Sequence, residues 1–160
     1  MFLHGGLAHV LGNVWMLWIF GDNVEDRLGP VRFLVFYLLA GVLAGVVHVI
    51  TNSASAVPTI GASGAIAGVM GAYFVLFPRA RVVVFLPILI LPALFEVPAV
   101  VFLALWFLLQ IAQGALMSGL EGQSSGGIAW WAHVGGFLGG IALLALLGGR
   151  RAPRREPRRD

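Results

Sequence analysis

Apolar runs separated by short polar interruptions make up most of this chain, and their lengths set the first expectations. Five runs, residues 7–20, 31–51, 61–77, 99–117 and 129–147, are each read as a membrane-spanning helix, because about 20 apolar residues in helical form cross a hydrocarbon core of roughly 30 Å. The first is short unless Gly5-Gly6 already lies at membrane depth, and it ends in a charged stretch, residues 21–27, expected to be a turn. In the second, Gly41 and Gly45 form a small-xxx-small face on which another helix can pack. The third carries Gly61, Gly64, Gly68 and Gly71 at offsets of three and four, so one face of a helix about 25 Å long is nearly bare backbone. A bare face is useful only against close neighbours, which puts this run among the other helices and away from lipid.

One more apolar stretch, residues 82–95, is short and interrupted by Pro87 and Pro92. Proline removes a helical hydrogen bond and clashes with the preceding turn. This stretch is therefore not counted as a span and is expected to lie at the interface or dip back. The fold expected is an all-α, polytopic helical bundle over residues 1–147, followed by an Arg/Pro-rich tail, 148–160, that is expected to be disordered.

Composition excludes a soluble domain. Hydrophobic residues make up 59% and charged residues 11% of the chain, against roughly a quarter charged in soluble domains, and the mean hydropathy is +0.95. With no cysteine, a thiol nucleophile, a disulfide and a thiolate-bound metal are all ruled out. The net charge of +3 does not point to nucleic acid, because all ten basic residues are arginines that cluster in or at the edge of short connecting segments and in the tail. Arg27 and Arg32, Arg79 and Arg81, and the six tail arginines fall in alternate segments, so five spans put them all on one side, the cytoplasmic side by the positive-inside rule. The carboxyl terminus is then cytoplasmic, and the first, third and fifth spans start at the outer face. Met1-Phe2-Leu3-His4 shows no basic region or cleavage site of a signal peptide.

Four polar side chains stand near those three starts. They are Ser63 in Gly61-Ala62-Ser63-Gly64, His133 ahead of Gly135-Gly136, and His9 with Asn13. A lone serine in such a helix usually bonds a carbonyl one turn back, and His9 and Asn13 could merely join helices. Several costly polar groups at one depth suggest a site instead. Serine becomes a nucleophile when a base takes its proton, and histidine suits that role. No carboxylate lies in any span, so Ser63 and His133 would act as a dyad. His9 and Asn13, at i and i+4, can point at a developing oxyanion together with backbone N–H groups at the start of the serine's helix. A metal held by His4, His9 and His133 is a poor reading, since the His4 to His9 spacing does not suit one helical face. His48 has no assigned partner and is read as structural.

These residues resemble the rhomboid intramembrane serine proteases through three motifs in the family's order: His4-x4-His9-x3-Asn13, Gly61-Ala62-Ser63-Gly64, and His133-x2-Gly136-x3-Gly140. The resemblance implies Ser63 as nucleophile, His133 as general base and then acid, and His9, Asn13 and the Ser63 amide as the oxyanion site. It also implies cleavage of transmembrane protein substrates in or near their spans, with the lipid bilayer as surroundings, no cofactor, no metal and no nucleic acid. Small residues at Gly61, Gly64, Gly136 and Gly140 would let the two catalytic helices approach. Two features depart from the family: its core usually has six spans, and some relatives carry an aromatic residue four positions after the serine, where this chain has Ala67. The first departure leads to the expectation that the natural reading frame continues upstream of Met1 through another span. A bacterial cell membrane is the expected location. The competing reading is a non-catalytic membrane module that binds transmembrane helices without cutting them.

Overall fold

The computed structural model describes residues 1–53, 58–88, 91–120 and 129–147. Among them are five α-helices, α1 (Leu7–Leu28), α2 (Pro30–Thr51), α3 (Ser63–Leu76), α4 (Ala99–Leu120) and α5 (Trp130–Leu147), and an antiparallel hairpin of β1 (Arg81–Ile88) with β2 (Leu91–Pro98). The expected tail lies outside the described residues, as does most of the loop before α5. Helices α2, α4 and α5 are long and apolar enough to cross a membrane, while α3 is apolar but only 14 residues long. The hydrophobic side chains of α2 that face outward, among them Leu34, Val42 and Ile50, suit contact with lipid, which is as apolar as the bundle interior.

The charged stretch 21–27 is not a turn. Helix α1 runs on to Leu28, because Phe20, Val24 and Leu28 recur at i+4 and are buried while Asp22, Asn23, Asp26 and Arg27 face outward. These last turns are amphipathic, and a helix tolerates charge on a face that leaves the bundle. The real turn is Gly29-Pro30. Gly29 adopts φ 81° and returns its N–H to Glu25 O at 2.6 Å, a left-handed cap that suits glycine, and Pro30 opens α2 where no N–H is required.

The all-α expectation is corrected by the hairpin, which occupies the stretch left unassigned as a span. Val82, Val83, Val84 and Phe85 are β-branched or aromatic and favour a pleated surface. The two prolines that bar a helix sit opposite each other in the register, Pro87 with Pro92, one pair from the end of the ladder, where a missing N–H costs least. Val82 packs towards the core, whereas Val83 and Phe85 are exposed, the period of two that strands impose. The hairpin leaves and returns at one end of the bundle. Ala99 N–H bonds Ala80 O at 2.7 Å and Val100 N–H bonds Pro78 O at 3.3 Å, which reverses the chain between α3 and α4.

Helix α3 is the centre, as its glycines require. Every residue from Ala65 to Tyr73 is buried. A Cβ at Gly136 would fall on the carbonyl oxygen of Gly64, one at Gly140 on that of Gly68, and one at Gly71 on that of Phe137, so α3 and α5 meet backbone to backbone. The matched order of Gly64 with Gly136 and Gly68 with Gly140 makes these helices parallel. On its other side α3 meets α2, where Cβ atoms at Gly64 and Gly68 would lie 2.6 and 2.5 Å from the Cβ atoms of Ala44 and Ala40. The contact face of α2 is thus Phe36, Ala40 and Ala44, one position round from the expected Gly41 and Gly45. Gly41 is covered by the Met1 side chain and Gly45 has open space. At the hairpin end, Phe20 of α1 meets Tyr73 of α3 edge-on at 5.0 Å and stacks with Phe102 of α4 at 6.4 Å.

Candidate active site

At the opposite end of the bundle from the hairpin, the starts of α1, α3 and α5 come together. Ser63 is the first residue of α3, following Ala62 as its cap. The first helical hydrogen bond of α3 runs from Ile66 N–H to Ala62 O at 3.0 Å, so the N–H groups of Ser63, Gly64 and Ala65 have no acceptor within the helix. Gly61, two residues earlier, holds φ 113°. A Cβ there would be strained by that φ and would also sit 2.7 Å from His9 Nε2. The first glycine of the motif is therefore required twice, by backbone conformation and by the imidazole against it.

His133 lies in the first turn of α5, where its own N–H bonds Ala129 O at 3.2 Å. Parallel packing of α3 and α5 sets its side chain across from Ser63, and Nε2 is 2.8 Å from Ser63 Oγ. The other ring nitrogen, Nδ1, is 2.7 Å from Gln110 Oε1 of α4. His133 and Gln110 are both buried, and with Asn13 they are the buried polar side chains of the described core. The plane of the imidazole faces the Trp106 indole, with centroids 5.9 Å apart and 34° between planes, and Trp130 meets it edge-on at 6.5 Å. The expected pairing of Ser63 with His133 is thus present. A third member, Gln110, joins it. Sequence reasoning sought only carboxylates behind the imidazole and passed over this amide, although a glutamine in the middle of an apolar run is itself a signal.

His9 and Asn13 are brought to the same end but touch Gly61 and not the serine hydroxyl. His9 Nδ1 accepts from Gly5 N–H at 3.3 Å, and the Asn13 amide donates to His9 O at 2.9 Å, one turn back. A Cβ at Gly61 would also lie 3.9 Å from Asn13 Nδ2. His4 stands edge-on to His9 with ring centroids 5.1 Å apart, so its place is against the imidazole of His9. His48 pairs locally at the end of α2, with Nδ1 3.4 Å from Asn52 Nδ2. A groove of about 300 Å³ lined by Val14, Trp18, Asp22, Glu25 and Phe33, among others, shares no residue with this site.

Comparison with known proteins converges on one family. The Rhomboid domain model matches residues 1–150. The chain is 36% identical over 90 residues to the mitochondrial presenilin-associated rhomboid-like protein of Mus musculus, covering 54% of this chain and 24% of that one. It is 29% identical over 144 residues to the mitochondrial Rhomboid protein 1 of Saccharomyces cerevisiae, covering 88% and 38%. It is 43% identical over 70 residues to the Rhomboid protease GluP of Bacillus subtilis, covering 44% and 13%. The matched region thus spans well under half the length of each of these relatives. No solved structure matches.

Proposed function

The chain belongs to the rhomboid family, and on that premise we propose that it is an intramembrane serine endopeptidase that cuts membrane proteins in or near their transmembrane segments. The observation that carries this reading is the 2.8 Å contact between His133 Nε2 and Ser63 Oγ, made by residues of two different helices. A serine hydroxyl at that distance from a neutral imidazole donates its proton as it attacks a carbonyl carbon. The oxyanion that forms is met by the unpaired N–H groups at the start of α3. His9 Nε2 and the second Asn13 amide proton are the side-chain donors proposed beside them. His133, now an imidazolium, hands its proton to the leaving amine, and the same histidine then activates the water that releases the acyl group.

For location, the proposal is a membrane with the arginine-bearing ends of the helices on the untranslocated side. The expected bacterial cell membrane has the Bacillus subtilis relative in its favour. The mouse and yeast relatives are named as mitochondrial, and the proposal stops at the membrane itself.

Labelling of the purified protein by a fluorophosphonate, followed by mass spectrometry, tests the nucleophile. Label on Ser63, absent from Ser63→Ala and nearly absent from His133→Ala, is the expected result, together with cleavage of a reconstituted single-span substrate. A double variant little worse than either single one is expected of two groups acting as a unit. Cleavage by Ser63→Ala at the wild-type rate would overturn the reading. Binding of the span with no cleavage by the wild type would favour the non-catalytic module.

A further inference from the structure

Ala99, Leu103, Trp106, Gln110 and Gly114 recur at three and four along α4 and form the stripe that turns inward. Ala99 and Leu103 are fully buried, Gln110 is 6% exposed, and a Cβ at Gly114 would lie 3.1 Å from the Trp131 ring of α5. Apolar side chains would fill such a stripe at less cost, because an amide taken into an apolar interior without a partner is penalised by about 1–3 kcal/mol. Among the described residues, Gln110 Oε1 is 2.7 Å from His133 Nδ1. Trp106, one turn before Gln110 on the same face, packs beside the same imidazole, with centroids 5.9 Å apart and the planes tilted by 34°. The indole is in turn held by Phe137 at 6.1 Å, itself stacked on Phe107 at 4.6 Å.

We propose that Gln110 and Trp106 are positioning residues that set the tautomer and the plane of the His133 imidazole, a role that rests on reading His133 as the base. A neutral imidazole carries its proton on either nitrogen, and only one form is useful here. With Gln110 Oε1 accepting from Nδ1–H, the lone pair of Nε2 faces the Ser63 hydroxyl. With the amide turned the other way, its N–H would donate to Nδ1, the ring proton would sit on Nε2, and the base would be blocked. Trp106, packed beside the ring, restricts its rotation out of line. This is the work an aromatic side chain four residues after the serine could do, and Ala67 has no ring to do it. Held with its oxygen towards Nδ1, the amide sets the ring proton as a carboxylate would but adds no charge that favours the imidazolium.

Imidazole nitrogen NMR of the full chain, labelled with ¹⁵N-histidine in micelles and assigned through His133→Ala, reads the tautomer directly. Expected are a protonated Nδ1 and a bare Nε2 in the wild type, and a shift towards the Nε2–H form in Gln110→Leu. Labelling of Ser63 by fluorophosphonate should fall on the order of 10²-fold in Gln110→Leu, as when a general base is lost. Gln110→Glu should keep the Nδ1–H form and recover most of the rate. Its acid limb should lie at higher pH, because a carboxylate stabilises the imidazolium and keeps the base protonated further up the scale. A wild-type spectrum with protonated Nε2, or a Gln110→Leu variant with unchanged tautomer and a labelling rate within twofold, overturns the proposal. Should Gln110→Leu not fold, the wild-type and Gln110→Glu spectra still decide it. A wild type inert to fluorophosphonate and substrate but carrying the Nδ1–H form would sink the protease reading, and with it the base that Gln110 is said to position, leaving only the tautomer assignment.

Discussion

Substituting Gly136 by alanine tests whether the close approach of α3 and α5 is what assembles the site. The new methyl would fall on the carbonyl oxygen of Gly64. Both partners are backbone, so no side chain can rotate away, and an ordinary van der Waals contact requires the helices to part by about 1.4 Å. Gly64 directly follows Ser63, and Gly136 lies one turn beyond His133, so the same displacement acts on the 2.8 Å contact between His133 and Ser63. Adding about 1.4 Å carries that contact beyond hydrogen-bonding range. Loss of general-base assistance lowers the rate by on the order of 10²-fold, while the overpacking itself costs about 1–3 kcal/mol of stability. The assay is the rate of fluorophosphonate labelling of Ser63 in detergent, measured beside thermal unfolding of the same preparation. Gly45→Ala is the control, since its Cβ would meet nothing within 4 Å, and it should label at the wild-type rate. A Gly136→Ala variant that is folded and labels within twofold of wild type would refute the reasoning.

Gly61→Ala should lower stability by about 2 kcal/mol, combining a positive-φ penalty with displacement of His9, whose Nε2 would lie 2.7 Å from the new Cβ. Unfolding in mixed micelles measures it, and an unchanged midpoint would contradict the double requirement on that glycine. Asn13→Ala should reduce cleavage by on the order of 10²-fold if its amide meets the oxyanion, a loss seen in turnover and not in substrate affinity; a pure affinity change would remove it from the oxyanion site. The Arg81 and Glu96 ion pair, at 3.7 Å and 64%/59% exposed, should contribute under about 0.5 kcal/mol. Glu96→Ala is therefore expected to leave both melting and labelling unchanged, and a large loss in either would show that the hairpin depends on it.

Membrane residence, the helical runs and the candidacy of Ser63 and His133 were legible along the chain because each depends on local facts. Run length against bilayer thickness, glycines at helical spacing, and a serine or histidine at the end of an apolar run need no knowledge of neighbours. The same local reading erred where a segment's environment outweighed its composition. Residues 21–27 read as a turn by their charge, yet they continue α1, because one face of those turns is buried while the other leaves the bundle. Residues 82–95 had too few residues for a span and two prolines against a helix, but pairing across the hairpin depends on a partner strand that periodicity along one strand does not reveal.

The relative rotation of the helices is what only the tertiary structure decided. Whether α2 presents Gly41 and Gly45 or Ala40 and Ala44 is a turn of about 100° about its own axis, and both choices offer small residues at a spacing of four. Gln110 reaches His133 because α4 is rotated to put its Ala99, Leu103, Trp106 and Gln110 stripe against α5. Within the sequence that glutamine is one of two in an apolar run, with Gln113 three residues on. The sequence by itself determined which groups are able to do chemistry, since that is a property of the side chain. Which lone pair faces which proton is a matter of ångströms between helices distant in sequence, and packing sets those distances.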